Sequence, residues 1–181
     1  MGHITYNVAV SLDGFIAPPD ETTGWIVEDA SIDFDGIFAS FDVFIMGRKT
    51  YQAVTESTEA NPLRGRPRQS IVVISKSLEP ANHPDITIVS ENHLEYIRSM
   101  REQEQRRIWL MGGGLLAAEC LSAGILDSLE LAIMPVLLGG GYGLFGTPGD
   151  KCLAMQRLDL RSVEKLHASG ILMTKYIVKP S

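Results

Sequence analysis

Strand formers Arg107-Ile108-Trp109-Leu110-Met111 run directly into three glycines, and the helical pattern Gly114–Ala123 starts at the last of them. A strand that passes into a helix with no intervening loop is one step of an alternating α/β chain around a sheet. The same alternation recurs along the sequence. β-branched or apolar runs fall at Ile4–Val10, Val43–Met46, Ser70–Ile74, Ile86–Val89, Leu129–Leu137, Val163–Ala168 and Ile171–Val178. Helical stretches lie between them. Phe34, Ile37, Phe38 and Phe41 form one stripe with Ser31 as its expected N-cap, and Asn92–Gln105 turns Leu94, Ile97 and Met100 inward. Gly124 closes the helix that starts at Gly114. Ser169-Gly170 reads as a tight turn between the last two strands, so the expected fold is a mixed, mostly parallel α/β sheet flanked by helices and ending in an antiparallel hairpin. At 181 residues, one domain covers positions 1–181.

Composition narrows the function. Sixteen basic against 22 acidic residues give a net charge of −6, which argues against a nucleic-acid partner. The basic loop Arg64-Gly65-Arg66-Pro67-Arg68 reads as solvated. No apolar run has the length of a membrane span and Met1–Asn7 lacks signal-peptide character, so a soluble, cytoplasmic protein is expected. Cys120 and Cys152 form no CxxC pair and are expected to be two buried thiols. The four histidines are scattered, and no metal site is expected.

The anion-binding signal is strongest at Met111-Gly112-Gly113-Gly114-Leu115. There a strand end, glycines that admit a ligand to the main chain and the positive end of a helix coincide. Gly47-Arg48-Lys49-Thr50 follows the strand Val43–Met46. It is no Walker A loop, but two cations and a hydroxyl at a helix start suit a phosphate. Ser75-Lys76-Ser77 ends a third strand with similar groups, as expected where the carboxyl edge of a sheet holds a dinucleotide. Gly141-Tyr142-Gly143-Leu144-Phe145-Gly146 spells GxGxxG, but Thr147-Pro148-Gly149 after it cannot continue as the required helix. It reads as a bent loop that packs Leu144 and Phe145 on the core. Asp13 leaves the first strand in an Asp-Gly turn, where it either makes an Asx turn or lines a crevice. Trp25 is a large aromatic in a loop and must pack on the core or on a flat ligand.

Five segments in this order, Ser11–Ala17, Phe44–Tyr51, Val72–Leu78, Trp109–Gly124 and Leu131–Phe145, resemble the dihydrofolate reductase-like superfamily. The likeness is greatest to the C-terminal reductase domain of bifunctional riboflavin-biosynthesis deaminase–reductases. No HxE…PCxxC deaminase motif is present. The resemblance implies an NADPH-dependent reductase acting on a small planar heterocycle, pterin- or ribosylaminopyrimidine-like, and a homodimer helped by the apolar strand Leu131–Leu138. It implies that Gly47, Arg48, Lys49 and Thr50 hold phosphate, with Arg48 on the 2′-phosphate side, and that Ser75 and Lys76 flank the adenosine ribose phosphate. Gly112, Gly113, Gly114 and Leu115 would receive the pyrophosphate, and backbone at Ala9 and Ile16 the nicotinamide carboxamide. Asp33, or else Asp13, is the candidate for supporting protonation through a pKa raised by burial, with Trp25 and Phe34 on the substrate side. For Asp33 the alternative is plain stabilisation of a helix start. Glu56-Ser57-Thr58-Glu59 stands where the riboflavin-pathway reductases carry Asp-Asp-Pro, which argues against a riboflavin-pathway substrate. The competing reading is a non-catalytic NADP-binding protein of the same fold.

Overall fold

In the computed structural model, which describes residues 1–56, 61–103, 105–146 and 152–180, hydrophobic periodicity has become a two-faced sheet. Ser57–Glu59 and the Thr147-Pro148-Gly149 stop lie outside the described residues. The elements are β1 (His3–Ser11), β2 (Phe15–Ala17), α1 (Phe34–Ala39), β3 (Val43–Gly47), α2 (Arg48–Glu56), β4 (Ile71–Ile74) and β5 (Thr87–Val89). They continue with α3 (His93–Glu102), β6 (Arg107–Gly112), α4 (Gly114–Ser122), β7 (Ser128–Met134), β8 (Tyr142–Gly143), β9 (Leu158–Lys165) and β10 (Leu172–Val178). The main sheet has the order β5-β4-β3-β6-β1-β7-β10-β9. Every neighbouring pair from β5 to β7 is parallel, and β10 joins both β7 and β9 antiparallel. β2 and β8 form a separate two-stranded ribbon.

Side chains alternate across the pleat, so each parallel strand feeds two cores. Val43, Ile45, Val72, Ile108 and Leu110 face the layer that holds Ile97 and Met100 of α3 with Leu116, Ala117 and Cys120 of α4. Phe44, Met46, Ile71, Val73 and Trp109 face the other way, onto Ile37, Phe38, Phe41, Tyr51 and Val54. Trp109 sits among Phe38, Phe41 and Phe44 at ring distances of 4.7, 5.1 and 5.8 Å, and its indole N–H donates to the Asn7 carbonyl at 2.8 Å.

Several expectations need correction. Asp33, not Ser31, caps α1: its carboxylate accepts from the Gly36 N–H at 2.9 Å, while Ser31 bonds to Asp29. Phe34 is 58% exposed, so the core stripe of α1 starts at Ile37. β7 stops at Met134 because Pro135 brings no N–H to a ladder. Both edges of β7 are paired, with β1 and β10. Cys120 is buried, with its thiol pushed up to about 12 by desolvation, but Cys152 is exposed. Among the described residues no helix is long and apolar enough to cross a membrane.

Candidate functional site

A cavity of about 560 Å³ opens where the C-terminal ends of β1, β3 and β6 meet the elements that follow them. The carboxyl edge of a parallel sheet is the usual crevice, because successive connections leave its strand ends in different directions. One wall is Val8 of β1 with Ile16 and Ala17 of β2. Another is α2, through Lys49, Thr50, Gln52, Ala53 and Glu56. The floor is Met111 and the turn Gly112–Gly114, and the rim is residues 20–23, Trp25, Ile26 and Tyr142.

Two nine-residue helices, α2 and α4, begin at this cavity side by side. β3 and β6 are neighbours, and their register slips between Ile45 and Met46, which brings Met46 opposite Gly112. A Cβ on Gly47 would lie 4.0 Å from the Gly113 nitrogen, and one on Gly112 would lie 3.4 Å from the Thr50 hydroxyl. The first-turn N–H groups of a helix have no intrahelical partner, so both helices direct donors and positive dipole ends here. Gly113 faces open space, whereas a Cβ on Gly114 would drive into the Gly143 carbonyl oxygen. The turn is therefore a cradle with room on one side, and its donor set fits a phosphate group.

Lys49 is tied across the rim. Its ammonium pairs with Glu21 and donates to the Tyr142 hydroxyl at 3.2 Å, and that hydroxyl donates to Glu21 at 2.6 Å. The two hydrogen bonds onto its carboxylate, from Lys49 first and Tyr142 next, hold the Glu21 pKa down, and the same pairing raises that of Lys49. Arg48 is exposed at the start of α2 and donates to Gln52 at 3.4 Å. Ser75 is buried after β4, where its hydroxyl accepts from the Ser77 and Leu78 N–H groups, each at 3.2 Å, and Lys76 beside it is exposed. Gly47, Arg48, Ser75 and Lys76 stand at the ends of the neighbouring strands β3 and β4, Ala9 lies in β1 and Leu115 in the first turn of α4, and none of them lines the cavity. Of the residues singled out from sequence, Ile16, Trp25, Lys49, Thr50 and Gly112–Gly114 do line it.

The two candidate acids are elsewhere. Asp13 accepts from the Ser11 hydroxyl at 2.6 Å and from the Leu138 and Gly139 N–H groups at 3.1 and 2.7 Å. Those bonds, Ser11 foremost, hold its carboxyl below the usual range, opposite to the rise a proton donor needs. Asp33 is occupied at the start of α1, and neither acid nor Phe34 lines the cavity. The cavity uses residues that were not singled out. Gln52, Ala53 and Glu56 follow Lys49 at helical spacing, a pattern visible in the sequence once α2 is extended. Glu21 and Tyr142 had no such signal, because the three-residue β2 and two-residue β8 that bring them together are too short to show periodicity.

Comparison with known proteins gives the family and the fold. The family model for the RibD C-terminal domain matches residues 2–172. The uncharacterised Bacillus subtilis protein YyaP is 26% identical over 96% of this chain and 93% of its own. The riboflavin biosynthesis protein RibD of Mycobacterium tuberculosis is 28% identical over 76% of this chain, a match that spans 43% of that longer protein. Among solved structures, a putative riboflavin biosynthesis protein from Shewanella superposes with a TM-score of 0.79 at 22% identity, covering 99% of this chain and all of the other. At that identity the superposition speaks for the fold alone.

Proposed function

The chain belongs to the RibD C-terminal domain family, and from that premise we propose that it is an NADPH-dependent reductase transferring a hydride to a small planar heterocycle, pterin- or ribosylaminopyrimidine-like. The observation that carries the reading is the meeting of the Gly112–Gly114 turn with the first turn of α2 at one cavity. Backbone N–H groups of the turn would take the pyrophosphate, and Lys49 and Thr50 would add an ammonium and a hydroxyl. Arg48 and Lys76, exposed on the same edge, would take the 2′-phosphate side, with Ser75 shaping the turn between them. Backbone at Ala9 and Ile16 would orient the nicotinamide. NADPH supplies the hydride when bound. The chain's own part is to hold ring and acceptor within near-attack distance and to keep water out with Trp25 and Ile26. A water held by the carboxylates of the rim is the proton route most compatible with the occupied Asp13 and Asp33.

A second reading, a non-catalytic NADP-binding protein, is favoured by the same two acids, since each already has a structural partner. One titration separates the readings. NADPH should quench tryptophan fluorescence through Trp25, and nicotinamide absorbance should fall when pterin or pyrimidine acceptors are added. Binding without turnover of any acceptor would favour the second reading, and no binding would end both.

A further inference from the structure

We infer that the acceptor is a planar heterocycle bearing neither phosphate nor carboxylate, and that Glu56 enforces this at the end of the cavity remote from the glycine turn. The inference rests on the cofactor reading above, which assigns the Gly112–Gly114 end to NADPH.

Lys49, Gln52, Ala53 and Glu56 stand at i, i+3, i+4 and i+7 of α2 and all line the cavity, so one helix face forms a wall with two ends. Seven residues of helix separate those ends by roughly 10 Å. The Lys49 end has the positive pole of the helix and the cradle. Glu56 is the last residue of α2, where the dipole is already negative, and α2 has no basic residue in its last turn. Among the described residues no side chain bonds to the Glu56 carboxylate, which is exposed at the rim. An acid so placed is unfavourable for the helix and is solvated by water alone, which a donor on the ligand can replace.

No cation lining the cavity is spare to receive an anionic acceptor. The charged side chains lining the cavity are Asp20, Glu21 and Glu56 against Lys49 alone, and Lys49 is already paired with Glu21. Outside the lining, Arg66 and Arg68 are committed to the main chain. Arg66 donates to the Pro62 and Phe38 carbonyls at 3.2 and 3.0 Å, and Arg68 to the Ile86 carbonyl at 3.1 Å. Trp25 and Ile26 add flat apolar surface. This end is built for an uncharged ring whose amino or ring N–H groups point at Glu56.

The test uses pterin and 6-carboxypterin, fluorescent rings that differ by one carboxylate, read by their own anisotropy with the NADPH-loaded protein and with the protein alone. Wild type should bind pterin about tenfold more tightly than 6-carboxypterin. Glu56→Gln should narrow the ratio and Glu56→Lys should reverse it. Equal or tighter binding of 6-carboxypterin by wild type, a ratio unmoved by Glu56→Lys, or retention of neither probe would overturn the inference. NADPH affinity is measured separately by Trp25 quenching. Its absence would sink the cofactor reading while leaving the charge preference measurable, and its presence without charge preference would sink only this inference.

Discussion

The chain has two glycine runs that meet in space, Gly112–Gly114 and Gly139–Gly143, and their glycines answer to different constraints. Gly113 borders emptiness: its φ and ψ are extended, and a Cβ there would enter the cavity. Gly141 has a φ of 132°, and a Cβ on it would strike the Ala17 carbonyl oxygen. The second run, which spells a dinucleotide fingerprint, is thus a packing device that seats β8 on β2 and sends Phe145 onto Tyr6 with ring centroids 5.7 Å apart. The run without the fingerprint spelling holds the open cradle. Glycine letters alone do not distinguish room for a ligand from room for the chain's own backbone.

That contrast can be broken by substitution. Gly141→Ala should have the largest effect, about 3 kcal/mol from strain at positive φ and overpacking, or roughly 6–12 °C in melting temperature. Thermal unfolding checks it, and an unchanged melting temperature would mean the second run is not close-packed. Gly113→Val should weaken both NADPH and NADH by roughly 100-fold, as read by fluorescence titration. Unchanged affinity would remove the first run from the cofactor site. Arg48→Ala should weaken NADPH about tenfold and spare NADH, because only the former has a 2′-phosphate for the guanidinium. Equal losses for both would refute that role.

The smallest effect belongs to the residue that ties the second run to α2. Glu21 pairs with Lys49, the ammonium proposed for a phosphate, while accepting from Tyr142 of the second run. Glu21→Gln should therefore tighten NADPH about twofold at low salt, with the difference gone at high salt. The tie also has a pH signature. The Glu21 carboxyl is depressed in the folded protein, so its contribution is present above the ordinary carboxylate range and is lost as pH falls through the lowered value. Amide exchange of residues 20–23 should rise in that acidic window in wild type and show no such step in Glu21→Gln.

Much of the framework could be read directly from the chain. Uninterrupted apolar runs at Val43–Met46, Ile71–Ile74 and Ile108–Met111 determined buried strands with two covered faces, and Met111–Leu115 determined a strand-to-helix turn, because both depend on local spacing and local backbone chemistry. The two acids were harder. Asp13 and Asp33 look like catalytic candidates by residue type, and only the positions of Leu138, Gly139 and Gly36 show their oxygens already engaged. Composition and periodicity alone thus settled the class of fold and the strand ends that carry glycine, cation and hydroxyl groups. Tertiary structure decided which of those ends share a cavity, which glycine is open and which acid is free. Those depend on contacts such as Glu21 with Tyr142, made by residues 121 positions apart through strands too short to leave a period in the sequence.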